Sequence, residues 1–109
     1  MARRIEFKAG GSFDYAITVR ESENGPFLDI SGWTITSQIR DSKDSLVATL
    51  TYAAVDETIG SFRLTYVGAT DGWIDGSILY WDIRYIDSGG RIMPSATVEI
   101  LVRKAITHP

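Results

Sequence analysis

The chain of 109 residues contains no cysteine. It therefore forms no disulfide and offers no thiolate to a metal ion, so its stability must come from packing and from backbone hydrogen bonds. It has one histidine, His108, which stands next to the last residue. A Ser-His-Asp or Cys-His catalytic group needs a histidine that is held rigidly, whereas penultimate residues are usually frayed. We expect that the protein is not an enzyme.

Carboxylates and glycines are the remaining candidates for chemistry. Asp71 and Asp75 lie in one predicted loop, but calcium loops carry acidic residues at alternate positions. Asp82 lies in an alternating run, where an outward-facing aspartate is ordinary, and a glycosidase pair with Asp75 needs a separation that the sequence does not define. The glycine pairs at 10–11 and 89–90 lack the helix of a phosphate-binding loop. We expect no metal site and no cofactor.

Long apolar runs and an excess of one charge are also missing. No window approaches the roughly 18 consecutive apolar residues of a membrane helix, and the amino terminus does not resemble a secretory signal. The formal net charge is -3, and the basic pairs Arg3-Arg4 and Arg103-Lys104 are interpreted as solvated strand ends. Nucleic-acid binding needs a clustered basic surface. We expect a soluble protein made in a cytoplasm, with no membrane or nucleic-acid partner.

Alternation of apolar and polar residues dominates the chain. Successive side chains of a β-strand point to opposite faces, and the Val, Ile, Thr and aromatic residues that favour strands fill these runs. Turn residues separate the runs. The pattern predicts one domain over residues 1–109, an all-β, two-sheet antiparallel sandwich of about seven strands. A short strand near 5–7 leads the apolar rows, which lie within 13–19, 33–39, 46–52, 62–66, 79–85 and 96–102.

Three local features refine this prediction. The rows at 46–52 and 62–66 are expected to form a hairpin. Trp33 and Trp81 occupy inward rows, which predicts that both are buried, on facing sheets. In the Gly/Asp-rich stretch 68–76, Thr70 is expected to cap one helical turn that crosses between the sheets.

Four apolar residues are candidate partner-binding residues. Leu101 and Ile86 interrupt otherwise polar outward rows, and Ile106 follows the last strand. If Leu101 and Ile86 share one face, they predict a contact between copies of the chain, whereas taken singly they are ordinary surface residues. Trp73 lies in the Gly/Asp-rich loop, where it either meets a ligand or partner or closes the open end of the sandwich.

A series of short motifs follows along about residues 12–107. The motifs are Phe27–Ile35, Ile39–Asp41, Ile59–Leu64, the Thr70–Trp73 crossover, Leu79–Ile83 and a final strand closing on Ile106-Thr107. Their order resembles the immunoglobulin-like sandwich domains of tailed-phage baseplate, tail-fibre and neck proteins. In that group an aspartate, an apolar residue, Ser or Thr and then Gly often precede a strand of the second sheet, as in Asp29–Gly32 here.

The resemblance implies a non-enzymatic virion protein. Such a protein is assembled in the host cytoplasm, docks on other tail or head proteins and acts as one of several copies, without a cofactor. In the family these domains usually stand at the start of a longer receptor-binding or baseplate protein, whereas this chain ends at Pro109. The departure favours an adaptor, joining or decoration protein over a receptor-binding one.

A carbohydrate-binding module is the alternative from another class. It would use Trp73, with Tyr80 or Tyr85, as a stacking surface for sugar rings. Such a module is expected to carry a secretion signal or to accompany a catalytic domain, and the sequence shows neither. The virion interpretation is therefore preferred.

Overall fold

The computed structural model describes residues 3–22 and 24–106, which form nine strands in two sheets. The strands are β1 (Arg3–Lys8), β2 (Phe13–Thr18), β3 (Thr34–Arg40), β4 (Leu46–Thr49), β5 (Thr51–Asp56), β6 (Ser61–Tyr66), β7 (Ile78–Ile86), β8 (Ile92–Pro94) and β9 (Val98–Arg103). The larger sheet has the order β1, β9, β7, β3, β4, and β8 pairs with the last residues of β7. The smaller sheet has the order β2, β6, β5.

The two-sheet sandwich expected from the sequence is confirmed. Neighbouring strands are antiparallel except for β1 and β9, which run parallel from Arg3 opposite Val98 to Lys8 opposite Arg103. A parallel pair cannot be joined by a short turn, and here most of the domain separates the two strands. Alternation within each strand carries no information about such a distant partner.

The apolar row at 46–52 contains β4 and the start of β5, which is one reason why the structure has nine strands and not about seven. β4 belongs to the larger sheet and β5 to the smaller, and the chain passes from one sheet to the other at the buried residue Leu50. The Leu50 N–H donates to the carbonyl oxygen of Ser37 at 2.9 Å. Period-two alternation continues through this crossing, so the sequence pattern hides it. The predicted hairpin is therefore formed by β5 and β6 alone.

The core lies between the sheets and is built from the inward rows. Along β3 and β7, buried and more exposed residues alternate, as the sequence predicts. The side chains of Phe13, Phe62, Ile39 and Ile100 are fully buried, so both sheets supply the centre. The remaining buried apolar residues are Phe7, Ile30, Ile35, Ala48, Leu50, Leu64, Leu79, Trp81, Ile83 and Val102.

The two core tryptophans differ from expectation in two respects. Trp81 is 5% exposed, but Trp33, just before β3, is only half-buried. Because β3 and β7 are neighbours in the larger sheet, the prediction that the two tryptophans lie on facing sheets is wrong. Phe13 and Tyr15 of the smaller sheet pack on Trp81, at ring-centroid distances of 5.2 and 5.3 Å. Alternation indicates which face a residue occupies but not which sheet contains its strand.

The prediction of a helical turn at 68–76 is also wrong, because the segment forms successive turns without a helix. Thr70 caps no helix, and its side chain instead contacts the turn between β1 and β2. Within the described residues, the helical structure is a three-residue 3₁₀ turn, Glu57–Ile59, which Asp56 caps through the Thr58 N–H. No helix in that part of the chain is long and apolar enough to cross a membrane.

Candidate interaction surface

An open cleft of about 1120 Å³ lies at the end of the sandwich where β1 and β9 finish and β2 begins. Its walls come from the turn 9–12, from the connection between β6 and β7, and from the residues just after β9. We call this end of the molecule the Trp73 end, after the tryptophan in its wall. Segments far apart in the sequence meet here because the two sheets place these strand ends on the same side.

Trp73 closes the end of the sandwich. Its ring lies 5.1 Å from that of Phe7 and 6.0 Å from those of Phe13 and Tyr66, and it stacks on Tyr66 at an interplanar angle of 26°. The residue is half-buried and belongs to the group of side chains packed on the core. The sequence allows two interpretations of Trp73, contact with a ligand or partner and closure of the open end of the sandwich. The packing of its ring on neighbouring side chains agrees with closure.

Hydrogen bonds hold the connection that carries Trp73. The Thr70 hydroxyl accepts from the Gly10 N–H at 3.0 Å and donates to the Gly11 carbonyl oxygen at 2.6 Å, and Thr70 is 3% exposed. Asp75 accepts from the Lys104 N–H at 2.8 Å, which fastens the chain just beyond β9. These contacts join the three walls of the cleft, so the Trp73 end is a defined surface.

Three aliphatic side chains project from this end. Val67 and Ile106 are each 87% exposed, and Ile74 is 73% exposed. We call these three residues the apolar rim. Ile106 stands out in the sequence because it follows the last strand, whereas Val67 and Ile74 do not stand out. The signal that could have found them is their position in a polar turn region, where no alternating row gives them an inward face.

Leu101 and Ile86 do not form one patch. Both belong to outward rows of the larger sheet, but Leu101 is opposite Ile78 at the start of β7, and Ile86 is at its end. Eight residue steps of about 3.3 Å each separate the two levels, a distance of about 26 Å. Leu101 thus lies toward the Trp73 end with Ile106 and Trp73, and Ile86 lies at the opposite end beside Thr34 and Ile92.

The acidic residues and the histidine that the sequence offers as candidate ligands do not converge within the described residues. Within 3–22 and 24–106, no group of three His, Asp or Glu side chains is placed to hold a metal ion. Asp71 and Asp82 are exposed, and Asp75 is bonded to the backbone of Lys104. Arg4 forms an ion pair with Glu99 at 2.7 Å, as expected of a solvated strand end. His108 lies outside the described residues.

The aromatic residues proposed for sugar stacking are divided between two environments. Tyr85 faces the core, with its ring 6.2 Å from Trp33 and 6.4 Å from Phe62, and is not part of an exposed platform. Tyr80 is outward and half-buried, and it lines a second groove of about 600 Å³ together with Trp73. That groove is the one place where the structure brings two of the proposed stacking residues together.

Comparison with known proteins identifies the fold. No family model and no curated protein sequence matches the chain. The structure of CopC from Methylosinus trichosporium OB3b is similar, with a TM-score of 0.56 and 13% sequence identity over 99% of this chain and 89% of that one. Murine CRIg matches over 94% of this chain and 93% of its own, with 11% identity and a TM-score of 0.42. The likeness to CopC shows the fold alone, and the chain is an immunoglobulin-like β-sandwich.

Proposed function

We propose that this chain is a non-enzymatic structural protein of a tailed-phage virion, a tail, baseplate or neck adaptor or a decoration protein. It is made in the host cytoplasm, joins the particle during assembly and acts through contacts with other virion proteins. The resemblance of its motifs to phage sandwich domains supports the virion context. The immunoglobulin-like fold agrees with that resemblance, although the same fold serves many unrelated functions.

The apolar rim is the observation that carries the proposal. Val67, Ile74 and Ile106 are 87%, 73% and 87% exposed, on the connection between β6 and β7 and just after β9, at one end of the molecule. Single exposed aliphatic residues are common, but three strongly exposed ones at the same end of a small domain favour a protein contact. Burying the three side chains against a partner would remove their apolar surface from water.

Assembly in several copies is part of the same proposal. Leu101 and Ile78 face each other on the outer side of β9 and β7, and they add half-buried apolar surface toward the same end of the molecule. Virion substructures are symmetric, and a head-to-tail contact that closes produces a ring. The rim would then contact a neighbouring copy or the protein on which the ring is built.

Mass spectrometry of gradient-purified particles tests the proposal. If the chain is a virion protein, its peptides co-sediment with the particles of the phage that encodes it, at a constant ratio to the major capsid protein after repeated purification. Its coding sequence should also lie among head or tail genes. A protein that stays in the soluble lysate, or a coding sequence outside any such block, would contradict the proposal.

Carbohydrate binding is the second candidate, because Trp73 and Tyr80 line one groove. Against it, the ring of Trp73 is already packed on Tyr66 and Phe7. Affinity electrophoresis on soluble polysaccharides, with Tyr80→Ala as the matched variant, distinguishes the two functions. Retardation that Tyr80→Ala abolishes would favour the sugar-binding function.

A further inference from the structure

The backbone of β2 has an unpaired edge. β2 pairs with β6 on one side, and within the described part of the chain no strand lies on its other side. The Val19 N–H donates to the Gly60 carbonyl oxygen at 2.9 Å, on the β6 side. Because antiparallel strands alternate hydrogen-bonded and non-bonded pairs, the N–H and C=O groups of Asp14, Ala16 and Thr18 point away from β6. Three donors and three acceptors therefore line this edge.

The other sheet edges carry features that discourage pairing. Four of the six residues of β1 are charged, and β4 has only four residues and a shift in its register with β3. β5 also has a register shift, between Ala54 and Asp56. Charged residues, short strands and bulges are the means by which natural sheets prevent edge-to-edge contact.

β2 lacks these protective features. It is six residues long, and its pairing with β6 has no register shift. Its only charged residue is Asp14, whose carboxylate accepts a hydrogen bond from Arg63 at 2.9 Å. A strand edge that is regular and nearly uncharged is suited to accept another strand.

An apolar groove of about 380 Å³ lies beside this edge. Its lining includes Ile5, Tyr15, Ile17 and Val98, which are half-buried and packed on the core. Side chains of an added strand that alternate inward would enter this groove. The groove thus provides side-chain contacts next to the row of free backbone groups.

A charged residue beside the groove indicates one property of a strand that would bind there. Arg3 and Ile5 are two residues apart in β1, so their side chains lie on the same side of that strand, which faces the groove. Arg3 has no ion pair among the described residues. Asp82 also borders the groove but belongs to the outward row of β7. An acidic residue of the occupant would therefore be favoured next to Arg3.

We propose that the β2 edge is a strand-addition site for an extended segment of another polypeptide. The segment has apolar residues at alternate positions, an acidic residue level with Arg3, and free N–H groups opposite Asp14, Ala16 and Thr18. It completes the smaller sheet as a fourth strand, and its inward side chains fill the groove. The site is separate from the apolar rim, and only the identification of the partner as a virion protein rests on the proposed function.

Hydrogen exchange followed by NMR tests the state of the edge in the free protein. The amides of Asp14, Ala16 and Thr18 should exchange quickly, whereas those of Phe13, Tyr15 and Ile17 should be protected by β6. Protection of all six amides that is lost on dilution would show that a second copy already covers the edge. That result would overturn the assignment to a different polypeptide.

Peptide binding tests the occupant. The probes are synthetic nine-residue peptides of alternating valine and threonine, with one glutamate moved through the positions, and a scrambled peptide of the same composition. Fluorescence polarisation should show binding by the alternating set, strongest for one glutamate position, and little by the scrambled peptide. Arg3→Glu should weaken the binding of the strongest-binding peptide and remove the preference for its glutamate position.

Ala16→Pro removes one free backbone donor, and Ala16→Ser is its matched control. Proline is tolerated on an edge strand where the N–H faces solvent, and a thermal melt verifies that the variant is folded. The proline variant should bind the best peptide about tenfold more weakly, whereas the serine variant should bind it like the wild type. No binding by any peptide, or equal binding by a folded proline variant, would overturn the site. Because purified protein is used, this outcome does not depend on whether the chain is found in particles.

Discussion

Trp81 holds the centre of the core through both its ring and its N–H group. Phe13 and Tyr15 pack on the ring, and the indole N–H donates to the Ser37 hydroxyl at 2.6 Å. Ser37 in turn donates to the Asp82 carbonyl oxygen at 2.6 Å, so the buried polar atoms around Trp81 are paired. This network joins β3 to β7 inside the larger sheet and fixes the orientation of the ring.

Trp81→Ala should lower the free energy of unfolding by about 3 to 5 kcal/mol, since it removes a large buried ring and leaves a cavity. Such a loss is a large share of the stability of an ordinary domain. Chemical denaturation measures it. A loss below about 1 kcal/mol would mean that the ring contributes little to the core.

A side chain at Gly60 is expected to destabilise the fold, and Gly72 provides a matched control. Gly60 has a φ of 71°, and an added Cβ would lie 2.6 Å from the Val19 carbonyl oxygen and 2.7 Å from that of Leu28. Gly60→Ala should therefore destabilise the fold by about 2 kcal/mol or more. A Cβ at Gly72 meets nothing within 4 Å, so Gly72→Ala should change stability by less than about 0.5 kcal/mol. Equal denaturation midpoints for the two variants would contradict this difference.

Two tyrosines should make the fold sensitive to alkali. Burial raises the pKa of Tyr85 to about 12, and burial together with the hydrogen bond to Glu57 raises the pKa of Tyr52 to about 12. The folded state thus keeps a proton that an unfolded tyrosine loses near its ordinary value of 10.0. The contribution to stability is complete below that pH and is lost as the pH rises toward 12.

Tyrosinate absorbance, recorded with circular dichroism during an alkaline titration, measures this effect. The last tyrosines to ionise should do so together with unfolding, and Tyr85→Phe should move the unfolding transition to higher pH. Ionisation of every tyrosine near pH 10, with the folded spectrum retained, would contradict the expectation.

At the scale of elements, alternation predicted faces well and partners poorly. It correctly assigned the inward rows of β3 and β7, because burial on one side of a sheet leaves a period of two. It could not show that the row at 46–52 changes sheets at Leu50, or that β1 pairs with β9, because those depend on strand order. The candidate surface was predictable only in part for the same reason: Ile106 and Trp73 stood out in the sequence, but the free edge of β2 did not.

Thr70 was predicted to cap a helical turn, but its hydroxyl makes tertiary hydrogen bonds instead. A threonine before a polar turn favours a helix cap. Here its hydroxyl instead bridges two backbone groups of the turn between β1 and β2. The bridge determines how the connection carrying Trp73 lies on the end of the sandwich.

Thr70→Ala should therefore leave the Gly10 N–H and the Gly11 carbonyl oxygen without this partner. The expected cost is about 1 to 3 kcal/mol, and amide exchange at Gly10 should become faster. Thr70→Ser keeps the hydroxyl and is expected to retain slow exchange. If the alanine and serine variants exchange and unfold alike, the bridge does not hold this end of the molecule.

At the scale of the whole molecule, the two candidate contact surfaces are separate. The cleft at the Trp73 end and the groove beside β2 have no lining residue in common. The apolar rim offers side-chain burial, whereas the β2 edge offers backbone hydrogen bonds, so each suits a different kind of partner segment. Two such surfaces on one small sandwich fit a protein that joins others.

The proposed function requires that the chain enters a phage particle through its apolar rim. The most direct test is the copy number of the chain in purified particles when a phage lacking the gene is complemented with variants. Val67→Lys, Ile74→Lys and Ile106→Lys together should remain folded but be lost from the particles, because the lysines make burial of the rim unfavourable. The matched control changes three exposed residues elsewhere, Val55, Ile59 and Ile92, to lysine and should be incorporated at the wild-type copy number. Equal incorporation of the two folded variants, or the absence of the wild-type chain from the particles, would contradict the claim.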